Sequence, residues 1–191
     1  MKPFRVHGTA QADEHGIQWP LEGGSCLSLE ILEPAMARVR IRPADGYREP
    51  RTWAIAPQPG TDVSWGGRAR DDLSGFSRPP ASVLRHADGI TLRTGAMAVH
   101  LQGDPLTLSW RDASGRLLAQ DRASAAYMAS SRTGAVRHYL QRDSGERYYG
   151  LGDKTGPLNL HGRRLRTLAM DALGYDPQRG LGGLTKRGGG A

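Results

Sequence analysis

Hydrophobic and polar residues alternate along much of this chain. The alternation is cleanest in residues 37–42, where arginines flank both Val39 and Ile41. Successive side chains of a β-strand point to opposite faces of the sheet, so a period of two predicts a strand. Because one set of residues is apolar and the other is charged, the strand is predicted to bury one face and to expose the other, as in an antiparallel sheet.

The same period recurs in short runs that are separated by turn residues. Strands are predicted over residues 25–32, 37–42, 52–56, 82–86, 90–94, 97–101, 106–110, 117–119, 136–140 and 148–151. Asp88 and Gly89 are predicted to form a two-residue hairpin turn, and Gly95 is predicted to turn the chain before the next strand. Short strands at close intervals are typical of an all-β sandwich or barrel, so the fold class is predicted as all-β.

Other parts of the chain have no such period. Residues 1–23 are predicted to form an irregular N-terminal arm, and the loops are predicted at 43–52 and 57–80, which are rich in Pro, Gly and Asp. Residues 124–130 are predicted to form one short helical turn. Residues 179–191 are rich in glycine and have no hydrophobic period, so we expect a disordered tail that cannot bury enough surface to offset its ordering entropy.

Composition narrows the class of protein. The formal net charge is +7, but the arginines are scattered and no motif that reads a nucleic-acid groove accompanies them, so nucleic-acid binding is not expected. No segment approaches the roughly 20 consecutive apolar residues of a membrane span, and the N-terminus has no apolar signal region. We therefore expect a cytoplasmic chain that does not contact a membrane.

Candidate chemistry in the sequence is sparse. Cys26 is the one cysteine, which excludes an internal disulfide, and we expect it to be a structural thiol. The six histidines lack the paired spacing of metal ligands, and the glycine-rich run 150–156 lacks the spacing of a phosphate loop. No cofactor and no metal are expected. Glycoside cleavage needs two facing carboxyl groups, and no pair of acids stands out, so the chain is predicted to hold no catalytic residue.

One segment carries a family resemblance. Residues 146–177, which read ERYYGLGDKTGPLNLHGRRLRTLAMDALGYDP, closely resemble the segment that joins the N-terminal domain to the catalytic barrel in glycoside hydrolase family 31, the α-glucosidases. Weaker similarity covers residues 82–122 and 37–41. The resemblance implies that residues 24–178 form an antiparallel, galactose-mutarotase-like β-sandwich that packs beside a (β/α)8 barrel. It also implies retaining hydrolysis of α-glucosidic or related α-linked bonds.

The resemblance further implies a substrate-binding residue, Asp171. In the family a loop of this domain reaches the mouth of the barrel, and its sugar-contacting Asp matches Asp171. The family's neighbouring residues are replaced by Ala169 and Met170, which weakens the pocket interpretation of the loop, and a solvated loop acid is an equal alternative. The glycine-rich tail, residues 179–191, stands where the family's next strand should begin. We therefore expect the chain to be truncated before the barrel, to be inactive alone and to self-associate.

Two other functions remain open. The first is a non-catalytic carbohydrate-binding module, in which exposed aromatic rings stack on sugars; the candidates are Trp19, Trp53, Trp65 and Trp110, with core packing as the favoured alternative. The second is a sugar mutarotase, which needs a histidine and a carboxylate as an acid–base pair. Only His100 and His138 support it, and similarity of fold alone is a weak argument for activity.

Overall fold

The computed structural model describes residues 1–57, 64–150 and 157–163. The chain divides into two compact units, residues 1–141 and 142–191. The described residues form short strands and one single-turn 3-10 segment, Glu22–Gly24. The strands are β1 Lys2–Pro3, β2 Gln11–Asp13, β3 Gly16–Pro20, β4 Cys26–Glu33, β5 Met36–Arg42, β6 Arg51–Thr52, β7 Arg68–Ala69, β8 Ser82–Arg85, β9 Gly89–Arg93, β10 Met97–Gln102, β11 Thr107–Asp112, β12 Leu117–Gln120, β13 Tyr127–Ala129 and β14 Val136–His138.

Two antiparallel sheets build the first unit. One has four strands in the order β2-β3-β4-β5, and the other has five in the order β12-β11-β10-β9-β8. Each sheet is a meander in which consecutive strands pair, as short turns between the strands allow. Smaller sheets, β1-β13-β14 and β6-β7, complete the strand pairing. The prediction of an all-β, antiparallel β-sandwich is therefore confirmed.

The core lies between the inner faces of the two large sheets. Leu27, Leu29 and Ile31 of β4 are fully buried, and they share one cluster with Val99 and Leu101 of β10. These are the apolar members of the alternating runs. Burying a side chain of this size contributes roughly 1.5–3 kcal/mol, so the alternation that predicts the strands also supplies the main stabilisation of the sandwich.

The prediction that residues 1–23 form an irregular arm is wrong. Strands β2 and β3 form a hairpin there, and β3 pairs with β4 along its whole length, from Gly16 opposite Glu30 to Pro20 opposite Cys26. Ile17 is buried in the core. Strands β2 and β3 are three and five residues long, too short to show a period on their own. The strand structure of β3 comes from pairing with β4.

Other local predictions also differ from the structure. Of the predicted strand 52–56, only Thr52 lies in a strand, β6. The segment 124–130 holds strand β13 instead of a helical turn, because Tyr127 is buried and its strand pairs with β1 and β14. Residues 148–150 form no strand. Gly89 lies within β9 instead of in a turn, because its backbone passes close to Leu101 on the neighbouring strand. The predicted tail, residues 179–191, lies outside the described residues.

Candidate functional site

The substrate-binding residue implied by the sequence, Asp171, lies outside the described residues, as does the glycine-rich run 151–156. The structure therefore leaves the role of Asp171 as a prediction. The described part of the first unit nevertheless contains a polar cavity and, beside it, a contact between the buried carboxylate of Asp121 and His138.

The cavity lies on the outer face of the five-stranded sheet. Val99 and Leu101 point into the core, so the alternate residues of β10, among them His100, lie on the opposite face. The register places His100 between Thr91 of β9 and Ser109 of β11, and Ser109 opposite Gln120 of β12. A row of hydroxyl, imidazole and amide groups thus crosses four strands.

This row borders a cavity of about 230 Å³. Its lining includes His100 and Gln102 from β10, Gln120 at the end of β12, and Asp121 with Gln141 from the segments that follow β12 and β14. The backbone N–H of Gln141 donates to the carbonyl of Gln120 at 2.8 Å, which holds the two glutamines side by side at the cavity's edge.

Asp121, beside the cavity, contacts residues of two neighbouring strands. Its side chain is completely buried, although carboxylates are rarely buried unless they are paired. One carboxylate oxygen accepts the backbone N–H of Leu108 at 2.8 Å, and the other lies 2.7 Å from Nε2 of His138. Asp121 therefore joins β11, the end of β12 and β14 through two charge-assisted contacts.

Tyr127 covers this pair from one side. Its ring stacks on the imidazole of His138, with the ring centres 4.4 Å apart and the planes 13° apart. Burial raises the pKa of the Tyr127 phenol above its ordinary value, and the nearby Asp121 carboxylate raises it further. A buried carboxylate beside an imidazole can orient that imidazole, which is one half of the acid–base arrangement that a mutarotase would need.

The other histidine named by the sequence, His100, lies in a hydrogen-bonded group of its own. Its Nδ1 is 3.0 Å from the Thr91 hydroxyl, and that hydroxyl is 2.9 Å from Nε2 of His86. Its Nε2 is 4.0 Å from the Asp88 carboxylate, beyond hydrogen-bond distance. Partial burial lowers the pKa of the His100 imidazole, although the charge of Asp88 acts in the opposite direction. The structure does not bring His100 and His138 together on one carboxylate.

The four tryptophans divide into two pairs. Trp19 and Trp110 pack against the core, as expected for structural aromatics. Trp65 is 98% exposed and Trp53 is 64% exposed, so core packing is wrong for these two. The indole N–H of Trp53 donates to the carbonyl of Trp65 at 3.1 Å, which ties the two residues to each other.

The described residues offer neither a metal site nor a membrane-spanning helix. No group of three or more His, Cys, Asp or Glu side chains in them could hold a metal ion. None of their helices is both long and apolar enough to span a membrane. Cys26 is half-buried at the start of β4 as a free thiol.

The sequence of this chain matches a known protein family. The family model for the glycosyl hydrolase 31 N-terminal galactose mutarotase-like domain matches residues 26–182, most of the chain. The chain belongs to this family. The resemblance to glycoside hydrolase family 31 is thereby confirmed, and the two large sheets described above are its galactose mutarotase-like sandwich.

Solved structures of family 31 enzymes share this fold. The dextranase of Flavobacterium johnsoniae, complexed with isomaltotriose, has a TM-score of 0.62 at 17% identity, over 85% of this chain and 18% of that chain. A cycloalternan-forming enzyme from Listeria monocytogenes, in complex with a pentasaccharide substrate, has a TM-score of 0.56 at 15% identity, over 84% of this chain and 14% of that chain. The α-xylosidase of Xanthomonas citri has a TM-score of 0.56 at 21% identity, over 80% and 16%.

These likenesses show the fold of the family 31 N-terminal domain and no more. The chain spans less than a fifth of the length of the three enzymes. None of the curated proteins matches the chain in sequence.

Sequence reasoning missed Asp121, Gln120 and Gln141 as members of a site. A weak signal for Asp121 is present, because an acid directly follows the predicted strand 117–119 while its partner His138 lies in the predicted strand 136–140. No period relates these two segments, so only the strand pairing of the folded chain brings them to one place.

Proposed function

We propose that this chain is the N-terminal domain of a glycosidase that hydrolyses α-glucosidic bonds. In this proposal the domain supports a catalytic (β/α)8 barrel, contributes the loop with Asp171 to the substrate pocket and is inactive alone. The observation that carries the proposal is the match of residues 26–182 to the N-terminal galactose mutarotase-like domain of glycosyl hydrolase 31.

Two of the structural neighbours support the choice of substrate. The Flavobacterium enzyme is a dextranase complexed with isomaltotriose, and the Listeria enzyme is complexed with a pentasaccharide substrate. An α-linked glucoside or oligosaccharide is therefore the proposed ligand of the assembled enzyme. The proposed partner of this chain is the catalytic barrel, which would supply the pair of carboxyl groups that glycoside hydrolysis requires.

Replacing Asp171 by asparagine tests the pocket role. A carboxylate that accepts hydrogen bonds from sugar hydroxyls makes charge-assisted contacts worth roughly 1.5–3 kcal/mol, so kcat/KM should fall about 10–100-fold. The measurement is hydrolysis of p-nitrophenyl α-glucoside by the chain together with the catalytic domain of the same enzyme. The control is Asp143→Asn, at an exposed turn acid, which should leave kcat/KM unchanged. Equal activity of the Asp171 variant and the unmodified chain would remove Asp171 from the pocket.

A second candidate function is a non-catalytic carbohydrate-binding module. The exposure of Trp53 and Trp65 favours it, because a sugar ring can stack only on an aromatic face that is open to solvent. Arg51 supports the same segment, since its guanidinium group donates to the carbonyls of Gly66 and Gly67.

Titration with maltose separates this candidate from the first. If the two indoles bind sugar, tryptophan fluorescence should change saturably at millimolar maltose, and the double variant Trp53→Ala/Trp65→Ala should abolish the change. Substitution of the half-buried Trp110 by phenylalanine serves as the control and should preserve it. Fluorescence that stays constant across the titration would remove the module.

A further inference from the structure

We infer that the cavity on the outer face of the five-stranded sheet is a binding site for a single neutral sugar ring or a similar polyhydroxylated molecule. The described lining of the cavity includes neither Trp53 nor Trp65, and the inference does not rest on the proposed hydrolysis.

The cavity presents several polar groups that make no contact elsewhere in the described residues. The side chains of Gln120, Gln141 and Thr107 line it, and none of them has a hydrogen-bond partner in the described part of the chain. Each glutamine offers two N–H donors and a carbonyl acceptor, and threonine offers a hydroxyl that can do both. Nε2 of His100 adds a further group, since its nearest carboxylate is 4.0 Å away.

The polar groups are held in place by the fold. The backbones of Gln120 and Gln141 are joined by the hydrogen bond at 2.8 Å, which sets where the two side chains begin. His100 is oriented by the Thr91 hydroxyl at 3.0 Å from its Nδ1. Asp121, in the wall, is anchored by the Leu108 N–H and by His138. Preorganised groups of this kind reduce the entropy that a ligand's binding would otherwise cost.

The chemistry of the lining selects an uncharged ligand. No arginine or lysine of the described residues lines the cavity, and both oxygens of its one carboxylate, Asp121, already have partners. An anion would therefore find no counter-charge, and a cation would find no free carboxylate. Amides, hydroxyls and an imidazole match the alternating donors and acceptors of sugar hydroxyls.

The size of the cavity selects one ring. Its volume of about 230 Å³ lies below the roughly 300–1,000 Å³ that is typical of pockets for drug-sized ligands. A single pyranose or a cyclic polyol fits this range better than an oligosaccharide, which would have to extend over the exposed strand β12.

NMR titration of the 191-residue chain with D-glucose tests the inference. We expect saturable shifts, at millimolar sugar, of the side-chain amide signals of Gln120 and Gln141 and of the His100 ring protons, while His7 is unaffected. The double variant Gln120→Ala/Gln141→Ala should weaken binding about tenfold through the loss of two or more hydrogen bonds. Both residues are exposed, so the variant is expected to fold.

Matched variants make the outcome specific. The double variant Gln11→Ala/Gln18→Ala, which removes two exposed glutamines of the other sheet, should bind glucose as the unmodified chain does. Trp53→Ala/Trp65→Ala should also leave these shifts unchanged, whereas a site on the tryptophans would lose them. Inorganic phosphate should produce no shift at His100. The inference is overturned if glucose causes no saturable shift on this face, or if the Gln120/Gln141 variant binds glucose normally.

Discussion

Replacing Asp121 by alanine is expected to lower the free energy of unfolding by about 3 kcal/mol, because two groups lose their partner at once. The N–H of Leu108 would be left without an acceptor in the interior, and His138 would lose the carboxylate 2.7 Å from its Nε2. Urea denaturation followed by tryptophan fluorescence measures the change. The substitution should act through the pairing of β11, β12 and β14 without opening the main core.

Two companion variants define this expectation. Asp121→Asn retains an oxygen acceptor and should be less destabilising than Asp121→Ala. Asp45→Ala removes an exposed acid and should change the free energy of unfolding by less than about 0.5 kcal/mol. If Asp121→Ala were no more destabilising than Asp45→Ala, the contacts of Asp121 with Leu108 and His138 would not stabilise the fold.

Replacing Gly89 by alanine is expected to destabilise the sandwich by about 3 kcal/mol or more, because the new methyl group has no room. A Cβ on Gly89 would lie 2.1 Å from the carbonyl oxygen of Leu101 and 2.9 Å from the Cα of Gln102. Both are backbone atoms of the paired strand β10, so the strands must separate to admit it. Loss of their ladder hydrogen bonds should appear as faster amide hydrogen exchange in β9 and β10.

Gly95 supplies the matched control for this change. A Cβ there would meet no atom within 4 Å, and the backbone does not adopt the left-handed conformation. Gly95→Ala is therefore expected to be neutral or to stabilise by up to about 1 kcal/mol, through the reduced entropy of the unfolded chain. Equal stabilities for the Gly89 and Gly95 variants would contradict the close approach of β9 and β10.

The strands that form the core could be predicted because their apolar and polar residues alternate with the period of a β-strand. In β4 the apolar residues alternate with polar ones, and burial of Leu27, Leu29 and Ile31 on one face follows directly from that period. The prediction that the opposite face of β5 is exposed is wrong, because Arg38 and Arg40 pair there with Glu30 and are mostly buried. Strand β3 could not be predicted, because its five residues include a glycine and a proline, and only the neighbouring β4 gives it a structure.

The candidate site depends on long-range geometry that a period does not encode. Asp121 and His138 are 17 positions apart. Their contact depends on the antiparallel bridge between Asp121 and Leu140, which brings the end of β12 beside the end of β14. The exposure of Trp65 likewise depends on the arrangement of the loop that carries it, so composition alone led to the expectation of core packing. The Asp171 loop, in contrast, was identified from local residues and stays a prediction.

Hydrolysis of p-nitrophenyl α-glucoside by the purified 191-residue chain, with and without the catalytic domain of the same enzyme, tests the central claim most directly. The account predicts no hydrolysis above buffer for the chain alone, and hydrolysis that depends on Asp171 once the catalytic domain is present. Clear hydrolysis by the chain alone, abolished by substitution of one of its own acids, would contradict the account and would place a working carboxylate pair within these residues.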